Sequence, residues 1–180
     1  MAGHAERVEA RGNRLRMLVW GGAAGLLVLP AIAMRLGADG VDWSATDFIV
    51  FATMLAVACG LYELAMRMSG DARYRAAAGV AVATGFITVW ANLAVGMIGS
   101  EGNPFNLAFA GVLAVAVVGA AFARLRAPGM ARAMLAAGLA QALVVAAAFA
   151  VGGDTRGAAT SALFVAPWLL SSALFRRASQ

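Results

Sequence analysis

Six stretches of about 20 apolar residues, separated by short polar turns, leave this chain very few ways to fold. They cover residues 17–36, 48–66, 76–99, 104–123, 130–152 and 158–175. A helix needs about 20 residues to cross a hydrocarbon core of about 30 Å, and each stretch has about that length. Strands of a membrane barrel would alternate in polarity. These runs are continuous and rich in Ala, Leu and Val, so helices are expected. Composition agrees: 62% of the 180 residues are apolar and 13% charged, with a mean hydropathy of +0.81. Soluble domains run at about 45–50% apolar and about 25% charged, so lipid is the expected solvent. The expected fold is all-α, a bundle of six transmembrane helices with short loops over residues 17–175. A basic tail (1–16) precedes it and a short tail (176–180) follows.

The connections carry turn and charged residues, such as Ser69-Gly70-Asp71 and Gly152-Gly153-Asp154. Asn103 before Pro104 reads as a helix start, because proline's missing N–H has no intrahelical partner there. Pro128 and Gly129 separate the fourth and fifth spans. Pro30 and Pro167 fall inside spans and are expected to kink the first and sixth helices. No internal repeat is evident, so an inverted-repeat transporter gains no support.

All 14 basic side chains are arginine. Placing the N-terminus in the cytoplasm puts Arg7, Arg11, Arg14, Arg16, Arg67, Arg73, Arg75, Arg124, Arg126, Arg132, Arg176 and Arg177 on that side, leaving Arg35 and Arg156 outside. This is the positive-inside pattern, so both termini are expected to be cytoplasmic. A pI near 11.0 would point to nucleic acid in a soluble protein, but arginines clustered beside apolar spans do not form such a footprint, and no nucleic-acid partner is expected. A competing reading of the first span is a secretory signal with a cleavage site at Ala31-Ile32-Ala33, which would leave five spans.

Cys59 is the single cysteine and reads as a small buried thiol. His4 is the single histidine and sits in the tail, so a haem or zinc site built on intramembrane histidines is excluded. No cofactor is expected.

Glu63 stands out because a carboxylate within an apolar run is costly and often marks a proton or ion path. Arg67, four residues later, offers the simpler explanation of a pair near the span end that snorkels to water. Thr84, Thr88, Asn92 and Gly96 recur at four-residue spacing and would share one face of the third helix. That face is expected to turn inward, toward the fifth helix, with Gln141 as a partner for Asn92. Such side chains serve as interhelical glue, or line a narrow path for a solute. The turn at residues 99–104, with Glu101 and Asn103, is expected to be a helix hairpin whose Gly and Asn suit the backbone, or a ligand contact. Gly21 and Gly25 make a GxxxG motif, a weak signal in so Gly-rich a chain. Trp20, Trp43, Trp90 and Trp168 lie mostly near span ends, as interface anchors do. The sequence holds no HExxH, Walker loop, paired intramembrane aspartates or GxSxG, so no enzymatic activity is expected.

The stretch from Trp90 through Asn92, Gly96, Gly99-Ser100-Glu101-Gly102-Asn103-Pro104 to Asn106-Leu107, with Gly111 to Val115, resembles a group of small bacterial multi-pass membrane proteins usually left uncharacterised. The likeness extends through Arg124 and Gly129-Met130-Ala131-Arg132, about half of the chain. It implies a bacterial inner-membrane protein and supplies no activity and no site residues. The expected role is packing, as a homo-oligomer or with a membrane-protein partner. The alternative is a small-solute or proton-coupled transporter using Glu63 and the polar face of the third helix.

Overall fold

Lipid cannot hydrogen-bond a bare backbone, so an apolar run in a membrane folds into a helix that satisfies its own N–H and C=O groups. The structure, a computed structural model, describes the backbone of residues 2–180 and the side chains of residues 15–180; those of His4, Arg7, Arg11 and Arg14 lie outside the described residues. The elements are α1 (Ala2–Arg35), α2 (Ala45–Met68), α3 (Ala72–Ala94), a 3₁₀ turn (Pro104–Asn106) leading into α4 (Leu107–Phe122), α5 (Ala127–Val151), α6 (Thr155–Ala162) and α7 (Val165–Arg177). Among the described residues there is no strand. Six spans are long and apolar enough to cross a membrane, the first at Leu15–Arg35 and the sixth, Thr155–Arg177, comprising α6 and α7. The fold is all-α, with the span count of a multi-pass membrane protein.

Two spans depart from expectation. The third ends at Ala94 and not at Gly99, because Gly96 (φ +75°) and Gly99 (φ +71°) adopt left-handed backbone. A Cβ on Gly96 would lie 2.4 Å from the Ser100 carbonyl carbon. Gly96 therefore shapes the turn and does not share a helix face with Thr84, Thr88 and Asn92. In the sixth span the expected kink is a full break at Leu163 and Phe164. Pro167 has no N–H for the Leu163 carbonyl. The Leu163 and Phe164 N–H groups bond instead to the Thr160 and Ser161 carbonyls, at 3.1 and 3.2 Å. Pro30 lies inside α1 without interrupting it.

The chain forms two compact units, residues 1–63 and 64–180. In the first, Arg16 of α1 donates to the Glu63 carboxylate of α2. The Trp43 ring meets Phe48 and Phe51 edge-on, with centroids 5.3 and 5.2 Å apart. The apolar stretch of α1 contains no buried residue.

In the second unit α7 packs between α3 and α5, α5 packs on α4, and α4 touches α3, giving the ring order α3, α7, α5, α4. Small residues permit these contacts. A Cβ on Gly119 would come 2.7 Å from the Ala133 Cβ, and one on Gly129 would come 2.6 Å from the Ala123 Cβ. On the opposite side of α5, a Cβ on Gly138 would lie 3.3 Å from the Trp168 Cβ of α7. Because both close-packed sides of α5 are taken by α4 and α7, α3 meets α7 and not the fifth helix as expected. Val112, Met134, Ala137, Trp168 and Phe175 form the core, with Tyr74 closing one end against Phe175.

Candidate functional site

The polar groups of the second unit gather where the turn after α3 meets the start of the sixth span. Once α3 stops at Ala94, the next nine residues have no helical ladder, and their amides need other acceptors. Asn106 supplies one. Its Oδ1 accepts from the N–H groups of Met97 (3.2 Å) and Ile98 (2.8 Å), while its Nδ2 donates to the Ser100 carbonyl at 2.8 Å. This buried amide thereby fixes three points of the turn, and Met97 and Ile98 are buried with it.

Asp154 supplies the second. As N-cap of α6 it accepts from the Gly157 N–H at 2.9 Å, and its other oxygen accepts from the Gly99 N–H at 2.8 Å. The bonds from Gly157 and then Gly99 hold its carboxyl below the usual carboxylate range. Gly157 must stay small, since a Cβ there would lie 2.7 Å from the Met97 carbonyl oxygen.

From the turn, a line of hydrogen bonds runs inward. The buried Ser161 hydroxyl donates to the Met97 carbonyl at 3.2 Å, and the Gln141 Nε2 donates to the Ser161 carbonyl at 3.0 Å. That carbonyl lies at the break between α6 and α7, where the regular helix ladder is lost. Gln141 therefore gives this carbonyl a second donor beside the Phe164 N–H, one that lipid could not supply. Three polar atoms in this unit are buried without a hydrogen-bond partner among the described residues: Asn92 Oδ1, Gln141 Oε1 and Trp168 Nε1.

The residues singled out in the sequence fall in different places. Thr84 and Thr88 are buried, but each hydroxyl bonds back to its own helix, to the Val80 and Thr84 carbonyls at 2.7 and 2.8 Å. Asn92 is half-buried, and Gln141 reaches Ser161 of α6 where Asn92 was the expected partner. Glu101 is exposed. Asn103 caps the 3₁₀ turn by accepting from the Phe105 N–H at 3.0 Å. Glu63 meets Arg16, and Arg67 lies one turn further along α2. Thus Gln141 and Asn103 join the turn and the break, while Glu63 belongs to the first unit.

Sequence reading passed over Asp154 and Ser161 as site residues, and took Asn106 only as the end of the polar cluster that follows the third span. Asp154 carried a usable signal, an acidic residue directly before a helix start. Asn106 stood in a polar cluster, but its partners are backbone groups that residue type does not reveal; Ser161 carried no signal, because its partner Met97 lies 64 residues away in sequence. The arrangement can order a turn and stabilise an interrupted helix; among the described residues it presents no cluster of metal-ligating side chains. Compared with protein-family models, with curated proteins and with solved structures, the chain finds no match in any of the three.

Proposed function

We propose that this is a non-enzymatic protein of the bacterial inner membrane, with both termini cytoplasmic, that acts by packing with a second copy or with another membrane protein. The observation that supports this reading is how the intramembrane hydroxyl and amide donors are used. Ser171, Ser172 and Gln141 donate to backbone carbonyls of other helices, which is work of assembly, while Thr84 and Thr88 bond back to their own helix. α1 offers surface for association: Cβ atoms built on Gly21, Gly22 and Gly25 would meet nothing within 4 Å among the described atoms. Cysteine pairs introduced on α1 at Gly21 and Gly25, oxidised in native membranes, test it. Cross-linked dimers or a specific heteromeric adduct are expected, and a strictly monomeric product would count against packing.

The transporter reading draws on the unpartnered Asn92 and Gln141 oxygens and on Glu63. Proton flux in liposomes separates the two. Flux lost in Glu63→Gln favours transport, whereas equal leakage with and without the protein leaves the packing reading ahead.

A further inference from the structure

The second unit is electrically lopsided. Tyr74 at the start of α3 donates to the Leu125 carbonyl between α4 and α5 at 2.6 Å, and Arg73 donates to the Arg177 carbonyl at the end of α7 at 3.3 Å. Those contacts place the α2–α3 connection, the α4–α5 connection and the end of α7 at the same end of the bundle. Eight of the unit's nine arginines belong to these segments or the helix ends that adjoin them, and Asp71 is the unit's one acidic residue there. The opposite end carries Arg156, Glu101 and Asp154.

Some of these arginines are committed to structure, as Arg75 is to the Ser69 and Met66 carbonyls. Others are not. Arg124, Arg126 and Arg176 are exposed and have no ion pair or hydrogen bond through the guanidinium among the described residues; exposed Arg132 reaches only the Pro128 carbonyl, at 3.4 Å. Arg126 is the N-cap of α5 without a side-chain cap bond, and the first turn of α5 contains no acidic residue. These guanidinium groups sit at or within two turns of span ends, the part of a spanning helix that meets the headgroup region of a bilayer.

We propose that this end binds anionic phospholipid headgroups of its own bilayer, gripped by Arg124, Arg126, Arg132 and Arg176. The planar guanidinium presents paired donors that match phosphate oxygens, and an anionic lipid adds net charge that a zwitterionic lipid lacks. The span ends deliver the headgroup, so a membrane lipid fits the position better than free phosphate does.

The test uses the full chain in mild detergent, with displacement of a fluorescent phosphatidylglycerol by unlabelled phosphatidylglycerol, phosphatidylcholine or inorganic phosphate. Phosphatidylglycerol is expected to bind at least about tenfold more tightly than phosphatidylcholine, with affinity falling as salt rises. Inorganic phosphate at matched concentration leaves the lipid in place. A variant with R124Q, R126Q, R132Q and R176Q loses about a hundredfold in phosphatidylglycerol affinity, while R156Q at the other end loses none. Equal binding of the two lipids, displacement by inorganic phosphate, or full affinity in the four-site variant would overturn the proposal. Should that variant fail to fold, the salt titration of the unaltered protein decides, and salt-independent binding is the overturning result.

Discussion

Asp154 joins two segments with one carboxylate, capping α6 through Gly157 and holding the turn through Gly99. These bonds favour the charged form and lower its pKa below the ordinary 3.8. The stabilisation is therefore complete above the unfolded-state pKa and disappears as pH falls through the lower folded-state value. Thermal unfolding of the detergent-solubilised protein should show this contribution lost only below about pH 4. Asp154→Asn should remove that acid-sensitive component and loosen hydrogen-exchange protection at Gly99. Gln141→Leu leaves the Ser161 carbonyl without its side-chain donor and should cost about 1 kcal/mol, read as a lower midpoint in a steric-trapping or denaturant titration. Glu63→Gln removes the charge opposite Arg16. Because Arg16 is half-exposed, a loss of about 0.2–1 kcal/mol is expected, and abolished folding would place the pair in a far less hydrated setting.

Among the elements, the α4–α5 hairpin shows most directly how local sequence and packing cooperate. Its turn is a Schellman closure: the Leu125 N–H bonds to the Ala120 carbonyl and the Arg124 N–H to the Ala121 carbonyl, at 3.2 and 3.0 Å. Arg124 and Leu125 both adopt left-handed backbone, φ 49° and 57°, where glycine is the favoured residue. Arg124→Gly should accordingly stabilise the hairpin by about 1 kcal/mol, measured by denaturant titration. Below the turn, Gly119→Ala should destabilise by about 1–3 kcal/mol because its Cβ would overlap that of Ala133, and adding Ala133→Gly should recover part of the loss. Gly111, with nothing within 4 Å among the described atoms, is the control at which alanine is tolerated. Hydropathy made the spans legible to within a few residues where polar residues bound them, as at Asp71 and Arg177. It failed at residues 95–99, where Val, Met and Ile continue the apolar run although Gly96 and Gly99 end the helix. Mean hydropathy cannot register a backbone angle. The contacts that close α5 on α4 were missed for a related reason: a glycine in so Gly-rich a chain does not show which neighbour lies opposite it. Gly21 and Gly25, flagged by spacing, face open surroundings.

For the whole molecule, twelve of fourteen arginines fit one orientation. Reporter fusions at Gly40, Gly102 and Gly153 should read as periplasmic, and fusions at Asp71, Gly129 and the C-terminus as cytoplasmic. A periplasmic C-terminus would contradict the positive-inside assignment. The polar candidates were less legible than the number of spans, because Asn92, Gln141 and Glu63 can be recognised as costly in lipid from sequence while their partners cannot. Gln141 proved to serve Ser161, a residue 20 positions on, through its backbone oxygen. That bond also bears on the order of biogenesis. Released laterally into lipid by itself, the sixth span would keep only the Phe164 N–H on its Ser161 carbonyl and would lose the acceptor of its Ser161 hydroxyl; Gln141 of α5 and the Met97 carbonyl of the turn after α3 supply those partners. Stable residence of this span thus depends on segments synthesised before it. A translocon holding the nascent chain should retain the sixth span until α5 stands beside it, and a Gln141→Leu chain should linger there longer.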